Sequence, residues 1–199
     1  MFEEGHVDYK KLFDPFSPRD VMWRVSRSGI HQRGAKTGEP WCLVVPYLRR
    51  VACEERLDEV FGTMGWTTEF RQRNWSDGKG EKCGFICKLS VFDPERGEWI
   101  SKEDGAANTN IEGFKGGISD AFKRVCSSGF GIGRYLRYMP KVIWASAQWS
   151  KNDMYERALV KDNETNSNKT YYWFVDDDVF EPWALPGGSG KPEGVNNGF

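Results

Sequence analysis

Apolar residues recur every three or four positions between residues 110 and 130, which is the spacing of one face of an α-helix. This face consists of Ile111, Phe114, Ile118, Ala121, Phe122 and Val125. At about 100° per residue, Lys115 lies at one edge of the apolar stripe, Arg124 flanks the other side and Lys123 lies almost opposite its centre. Gly129 stands where a helix often ends in a residue with positive φ. The pattern predicts an amphipathic helix that shows a Lys–Arg pair to solvent.

Alternating apolar and polar residues over 66–102 predict a three-stranded antiparallel meander. Its strands are Trp66–Asn74, Lys82–Phe92 and Glu98–Lys102. One face of the middle strand consists of Phe85, Cys87, Leu89 and Val91. Because successive side chains of a strand point to opposite sides, this apolar face is expected to be the one that helices cover. Asp104–Asn110 would then lead into the amphipathic helix.

The first 65 residues predict two strands and two helices. Ser17 before Pro18 is typical of a helix N-cap with proline at the first helical position, which predicts a short helix over Arg19–Trp23. The further elements are strands at Trp23–Arg27 and Trp41–Tyr47 and an amphipathic helix at Arg49–Gly62. The order of elements predicts an α+β fold, with an antiparallel β-β-β-α core and helices packed on one face of a curved sheet.

The pattern weakens after Pro140, and this divides the chain into three parts. Residues 1–140 are expected to form the core domain. Residues 141–184 are expected to form a peripheral extension with a mobile loop at Lys161–Lys169 and one extra strand within Tyr171–Ala184. Residues 185–199 are rich in Gly, Pro, Ser and Asn, which predicts a disordered tail.

The charge balance excludes a chain that is basic throughout, because 28 basic and 29 acidic residues give a formal net charge of −1. A local basic groove remains compatible with this balance. The count of five cysteines is odd and only two histidines are present, so buried free thiols explain the cysteines better than a zinc site. The absence of an apolar leader or of a run of about 18 apolar residues favours a cytoplasmic protein without a membrane span.

Two kinds of residue could carry chemistry. A metal-dependent nuclease would use two or three clustered carboxylates. The acidic candidates lie at helical spacings beside arginines, which favours ordinary ion pairs; they are Glu54, Glu55, Asp58, Glu59, Asp104, Glu112 and Asp120. The Gly-rich run at 129–133 follows a helix rather than a strand, so it does not predict a dinucleotide site. Cations on the last helix and on the sheet suit phosphate contacts instead.

Four ordered motifs make the chain similar to a known superfamily. The segment Lys115–Leu136, KGGISDAFKRVCSSGFGIGRYL, resembles the signature helix of the single-strand DNA annealing proteins, which include eukaryotic Rad fifty-two, bacterial DdrA and the phage Sak annealases. The other motifs are Pro15–Val25, Tyr47 with Arg56–Gly62 and Trp66, and Glu181–Pro186. The resemblance covers residues 14–140 well and the remainder loosely.

The resemblance implies assembly into rings or open helical arrays and an outward groove that holds single-stranded DNA by its backbone. It implies neither ATP nor a metal or other cofactor. Lys123 and Arg124 match the family's Lys–Arg pair in that groove, and Arg50 lies near a position where relatives carry an arginine. The DNA-binding residues expected on these grounds are Lys123, Arg124, Lys115, Arg50, Arg56, Lys88, Lys102 and Arg134. For Arg56 the alternative is a pair with a carboxylate of its own helix.

The sequence therefore suggests ATP-independent binding and annealing of single-stranded DNA in recombination or repair, with no catalytic residues. One alternative is a binder of the same fold that protects DNA ends without efficient annealing; a less favoured one is a metal-dependent nuclease. The expected partners are single-stranded DNA, further copies of the chain and a single-strand-binding protein recruited by the tail. The expected location is the cytoplasm of a bacterium or of a phage-infected cell.

Overall fold

The computed structural model describes residues 7–76, 78, 80–108, 113–139, 142–143, 156–162, 167–173 and 179–193. The strands are β1 (Val21–Ile30), β2 (Pro40–Leu48), β3 (Trp66–Ser76), β4 (Glu81–Asp93), β5 (Glu98–Ala107), β6 (Val142–Ile143), β7 (Glu156–Asp162) and β8 (Ser167–Trp173). The helices are α1 (Arg50–Phe61) and α2 (Gly113–Phe130). Short 3-10 turns occupy Tyr9–Phe13, Pro18–Asp20, Arg134–Tyr138 and Pro182–Ala184. Within these residues no helix is long and apolar enough to cross a membrane.

The strands form two three-stranded antiparallel sheets and a hairpin. The central sheet has the order β3-β4-β5, and the second sheet has the order β1-β2-β6. Strands β7 and β8 form the separate hairpin. The predicted α+β fold with an antiparallel meander is confirmed.

The core lies between the central sheet and the two helices. The predicted inward face of β4 is buried throughout, with Phe85, Cys87, Leu89 and Val91 each at most 5 % exposed. Helix α2 packs on β4 and β5 and contacts α1, which in turn reaches β3. Phe122 of α2 and Leu57 of α1 have no exposed surface. The side chains that alternation identifies in β4 and those that the 3.6-residue period identifies in the helices therefore pack together in one core.

Helix α2 differs from the predicted helix near both of its ends. Phe114 is 66 % exposed and meets the ring of Phe85 edge-on, at a centroid distance of 5.0 Å. Ile111 lies outside the described residues. The prediction that Gly129 ends the helix is wrong, because α2 continues to Phe130 and the positive φ, 88°, belongs to Gly131. A side chain at Gly129 would press on Lys102 of β5.

Two strands extend further than their sequence patterns indicate. The predicted helix over Arg19–Trp23 is wrong, because only the turn Pro18–Asp20 forms and β1 begins at Val21. Residues from Val21 onward are extended because they pair with β2, where Val21 lies opposite Leu48 in the antiparallel register. Likewise β5 continues to Ala107, opposite Gly84, so Asp104 lies on the sheet instead of in a connection.

The segments after residue 140 include a hairpin and a packed turn. The predicted mobile loop Lys161–Lys169 overlaps the ends of β7 and β8, and residues 163–166 lie outside the described ones. From the predicted disordered tail, the structure describes residues 185–193. Leu185 packs against the core, and the N–H of Gly190 donates to the carbonyl of Trp183. This part of the tail is held by the same core as the preceding residues.

The cysteine thiols are free, and four are buried, in Cys42, Cys53, Cys87 and Cys126, whereas Cys83 is partly exposed. Burial raises the pKa of Cys42 to about 11 and that of Cys87 to about 12. Burial also raises the pKa of Cys126 well above its usual value. These three thiols are therefore protonated at neutral pH.

Gly117 lets α2 approach the sheet closely. A Cβ atom there would overlap the side-chain oxygen of Asn108 and lie 2.9 Å from Cδ2 of Phe85. We expect Gly117→Ala to destabilise the fold by about 1–3 kcal/mol through overpacking. Gly113→Ala on the same helix is the matched control, because its Cβ would meet nothing closer than 3.7 Å. Urea unfolding of both variants tests this, and equal midpoints would contradict it.

Candidate nucleic-acid interface

A cleft of roughly 740 Å³ lies between the β1–β2 hairpin and helix α2. The end of β5 and the turn that follows α2 complete its walls. Five cations line it, namely Arg24, Lys123, Arg124, Arg134 and Arg137. Among the described residues, Asp120 is the only carboxylate in this lining. The cleft is thus strongly positive although the whole chain is close to neutral.

Lys123 lies inside the cleft instead of on an open helix surface. Its side chain is 25 % exposed, and its Nζ lies 2.9 Å from Oδ1 of Asp120. The same Nζ lies 5.3 Å from the ring centre of Tyr47 on β2. The guanidinium carbon of Arg24 on β1 lies 5.9 Å from the same ring centre. The side of α2 opposite its apolar stripe therefore faces the hairpin, and the Tyr47 ring is shared by cations from both walls.

Arg124 projects at the mouth of the cleft, with 60 % of its side chain exposed. Its Nε donates to Oδ1 of Asp104 on β5 over 3.1 Å. Asp104 also accepts from the hydroxyl of Ser128 over 2.7 Å and from the N–H of Gly105. Partial burial raises the pKa of the Asp104 carboxyl, but these hydrogen bonds and the nearby Arg124 charge outweigh it and hold the pKa below its usual value. Asp104 is thus a carboxylate near neutral pH.

Arg134 and Lys102 both bind the C-terminal end of α2. Arg134 donates from Nε to the carbonyl of Ser127 over 2.9 Å and from Nη2 to that of Ser128 over 2.8 Å. Lys102 donates to the carbonyl of Gly129 over 2.6 Å. The last carbonyls of a helix lack partners within the helix, and cations near them are favoured by the helix dipole. Arg134 also lines the cleft, so it serves both the helix end and the candidate interface.

Arg50 and Arg56 lie on α1, outside the cleft lining, and both contact other groups of the protein. The guanidinium of Arg50 lies 4.9 Å from the ring centre of Phe122, and its Nε lies 2.7 Å from Oε1 of Glu54. Arg56 donates to the carbonyls of Lys11 and Asp14, and its guanidinium lies 4.1 Å from the ring centre of Phe16. The contacts of Arg56 fasten the N-terminal segment to α1, whereas Arg50 joins α1 to α2.

The remaining two expected DNA-binding residues also lie outside the cleft lining. Lys88 is on the face of the central sheet that α2 does not cover, 3.3 Å from Oε1 of Glu69. Lys115 is exposed near the start of α2. The structure thus brings together three of the eight expected residues, Lys123, Arg124 and Arg134.

Arg24, Tyr47 and Arg137 complete the cleft but were not among the expected site residues. Arg24 faces Val45 in the β1–β2 register, so it shares a hairpin face with Tyr47, two residues further along β2. Alternation places these two side chains on one face, yet it does not say which face meets α2. Arg137 was recognisable only as another cation soon after the signature helix.

The carboxylates that a nuclease would need are mostly engaged with cations. Glu54 pairs with Arg50, Glu59 with Lys11 and Arg56, and Asp104 with Arg124. In the part of the chain that the structure describes, no three His, Cys, Asp or Glu side chains gather closely enough to hold a metal ion.

The sequence signature and the basic cleft agree with a comparison against known families. The family described as Rad52/22 family double-strand break repair protein matches residues 8–155, well over half of the chain. The chain belongs to the Rad52/22 family. At the level of the family, Rad52/22 proteins bind and anneal single-stranded DNA in recombination and repair, and they typically form oligomers. No individually curated protein matches the chain.

Arg56 offers a test that separates structure from binding. Its side chain is 10 % exposed, and replacing it removes a donor from two backbone carbonyls, of which that of Lys11 still accepts from the N–H of Asp14. The replacement also removes the contact with the ring of Phe16. We expect Arg56→Ala to lower the free energy of unfolding by about 1–3 kcal/mol. Lys88→Ala, which removes one partner of an exposed pair, is expected to change it by about 0.5 kcal/mol or less. Thermal unfolding followed by circular dichroism measures both, and an unchanged melting temperature for Arg56→Ala would contradict the structural role.

Proposed function

We propose that this protein binds single-stranded DNA in the cleft and anneals complementary strands without ATP. The observation that carries the proposal is the convergence of five cations on one cleft of a near-neutral chain that belongs to the Rad52/22 family. Cations on a groove neutralise phosphates and carry no sequence information by themselves. A strand held in this way leaves its bases free to test pairing with a second strand.

Each wall of the cleft has a distinct task in this proposal. Helix α2 supplies Lys123 and Arg124, and the hairpin supplies Arg24 from the opposite side. Tyr47 keeps Lys123 and Arg24 directed toward the same space through its ring. Two cationic walls suit a flexible single strand, whose backbone follows a groove more readily than a stiff duplex does.

The same cleft would also serve a protein that protects DNA ends without efficient annealing. The two functions separate in an annealing assay with complementary labelled oligonucleotides in EDTA. Faster pairing than without protein supports annealing, whereas binding without faster pairing supports end protection. Cleavage of the oligonucleotides that appears only with a divalent cation would favour the nuclease alternative, which the ion-paired carboxylates do not support.

We further propose that the chain assembles into a ring or an open helical array in the cytoplasm of a bacterium or of a phage-infected cell. Among the described residues, β3 and β5 are the outer strands of the central sheet, so each carries an edge suited to pairing. The family typically forms oligomers. Multi-angle light scattering at micromolar concentration is expected to give many times the chain mass of 22.8 kDa. A monodisperse monomer would refute the assembly.

The central test replaces Lys123 and Arg124 together by alanine. We expect single-strand binding to fall sharply and annealing to be lost, while the melting temperature falls only slightly, because neither side chain fills the core and the variant loses only two partly exposed ion pairs. Each lost phosphate contact is expected to reduce the salt slope of binding by about 0.7 for a single strand. Fluorescence anisotropy over a series of salt concentrations gives both quantities, and the annealing assay gives the rate.

Two controls make this test decisive. Arg71 of β3 lies opposite Ile86 and shares the outer sheet face with Lys88, where it pairs with Glu103. Lys88→Ala with Arg71→Ala therefore removes the same charge from the sheet face that α2 does not cover, and it is expected to leave binding largely intact. Phe122→Ala is expected to destabilise the protein by about 3–5 kcal/mol through its cavity and to lose function by unfolding. If the outer-face variant loses binding instead, the DNA lies on the outer face. If the Lys123/Arg124 variant melts like the Phe122 variant, the pair is structural.

A further inference from the structure

Both members of the Lys–Arg pair already have a carboxylate partner within the protein. Lys123 is paired with Asp120 over 2.9 Å, one turn earlier on α2. Arg124 is paired with Asp104 over 3.1 Å, from the neighbouring strand β5. The two carboxylates come from different elements, and each meets a different cation of the pair.

These carboxylates lie where phosphates would have to bind. Asp120 itself lines the cleft, and Asp104 adjoins Gly105, which lines it as well. Their side chains are only 33 % and 20 % exposed, so water screens them less than it screens an open surface pair. The pKa of the Asp104 carboxyl is held below its usual value, so this competing charge is present at neutral pH.

We propose, resting on the function proposed above, that Asp120 and Asp104 are affinity-determining residues that compete with DNA phosphates for Lys123 and Arg124. A phosphate that pairs with Lys123 displaces the Asp120 carboxylate, which then stays in the cleft beside a second anion. That repulsion lowers affinity and speeds release of the strand. Fast release serves annealing, because a paired product has to leave before the cleft accepts new strands.

Competition between carboxylate and phosphate alters the salt dependence of DNA binding, whereas a change in the shape of the cleft alone does not. In the unmodified protein, each new phosphate contact leaves behind an unpaired carboxylate, which attracts a solvent cation and offsets part of the counterion release. When the carboxylate is neutralised, this offset disappears. Affinity is therefore expected to rise and the salt slope to become steeper, by at most about 0.7 for each cation freed, which is the full release for one phosphate contact with a single strand.

Asp120→Asn is the primary variant, because asparagine keeps the shape of the side chain and removes its charge. We expect short single-stranded oligonucleotides to bind about two- to five-fold more tightly at low salt and to dissociate correspondingly more slowly. Annealing with DNA in excess over protein is expected to slow, since release then limits turnover. Stopped-flow displacement of a labelled oligonucleotide measures the dissociation rate directly.

Glu69→Gln is the matched control, since it removes one carboxylate from an ion pair with Lys88 on the sheet face that α2 does not cover. It is expected to leave affinity and salt slope unchanged. Asp104→Asn is the second variant and frees Arg124; its melting temperature is measured first, because Asp104 accepts three hydrogen bonds.

The outcomes separate this inference from the proposed function. Tighter binding with a steeper salt slope for Asp120→Asn, and no change for Glu69→Gln, supports the competition. Unchanged or weaker binding by Asp120→Asn overturns it and makes Asp120 a group that merely positions Lys123. Equal gains from Glu69→Gln also overturn it, because the effect is then one of net charge. An unmodified protein that fails to bind single strands overturns the proposed function itself.

Discussion

Phe122 joins the elements that position the candidate interface. Its ring has no exposed surface and lies 6.1 Å, between centroids, from Trp66 on β3. The guanidinium of Arg50 on α1 lies 4.9 Å from its centre. Helix α2 is therefore fixed in rotation by a contact that involves the sheet and the other helix. Because about 100° separates successive helical residues, fixing Phe122 also fixes the direction of Lys123, its neighbour in the chain.

The polar contacts at the end of α2 extend this arrangement. Arg134 and Lys102 bind the last helix carbonyls, and Arg134 reaches the cleft from the same position. Arg134 thus has an internal role at the helix end, and in the proposed function it has a second role toward phosphate. Under the proposed function, the balance between internal partners and DNA would set how firmly a strand is held, and this applies to Lys123 and Arg124 as well.

Periodicity predicted the parts of the fold that depend on neighbours in sequence. Alternation identified the buried face of β4, and helical spacing placed Ala121, Phe122 and Val125 in the core. It failed for Phe114, because spacing tells which residues share a face and not how far the covering sheet extends. Arg24 and Tyr47 were missed for a related reason, since their closeness to Lys123 depends on the packing of the hairpin against α2. Whether Arg56 meets solvent or the carbonyls of Lys11 and Asp14 is a tertiary fact too.

The unequal burial of the thiols makes one position chemically addressable. Cys83 is the only partly exposed cysteine of the five, and it lies near the start of β4, on a strand that does not line the cleft. The protonated, buried thiols of Cys42, Cys87 and Cys126 react slowly with alkylating reagents, since the thiolate is the reactive form. A maleimide dye would therefore attach first at Cys83, in a native chain with no engineered cysteine. In the proposed assembly, each copy would then carry its own fluorescent reporter, and energy transfer between labelled copies would measure their spacing.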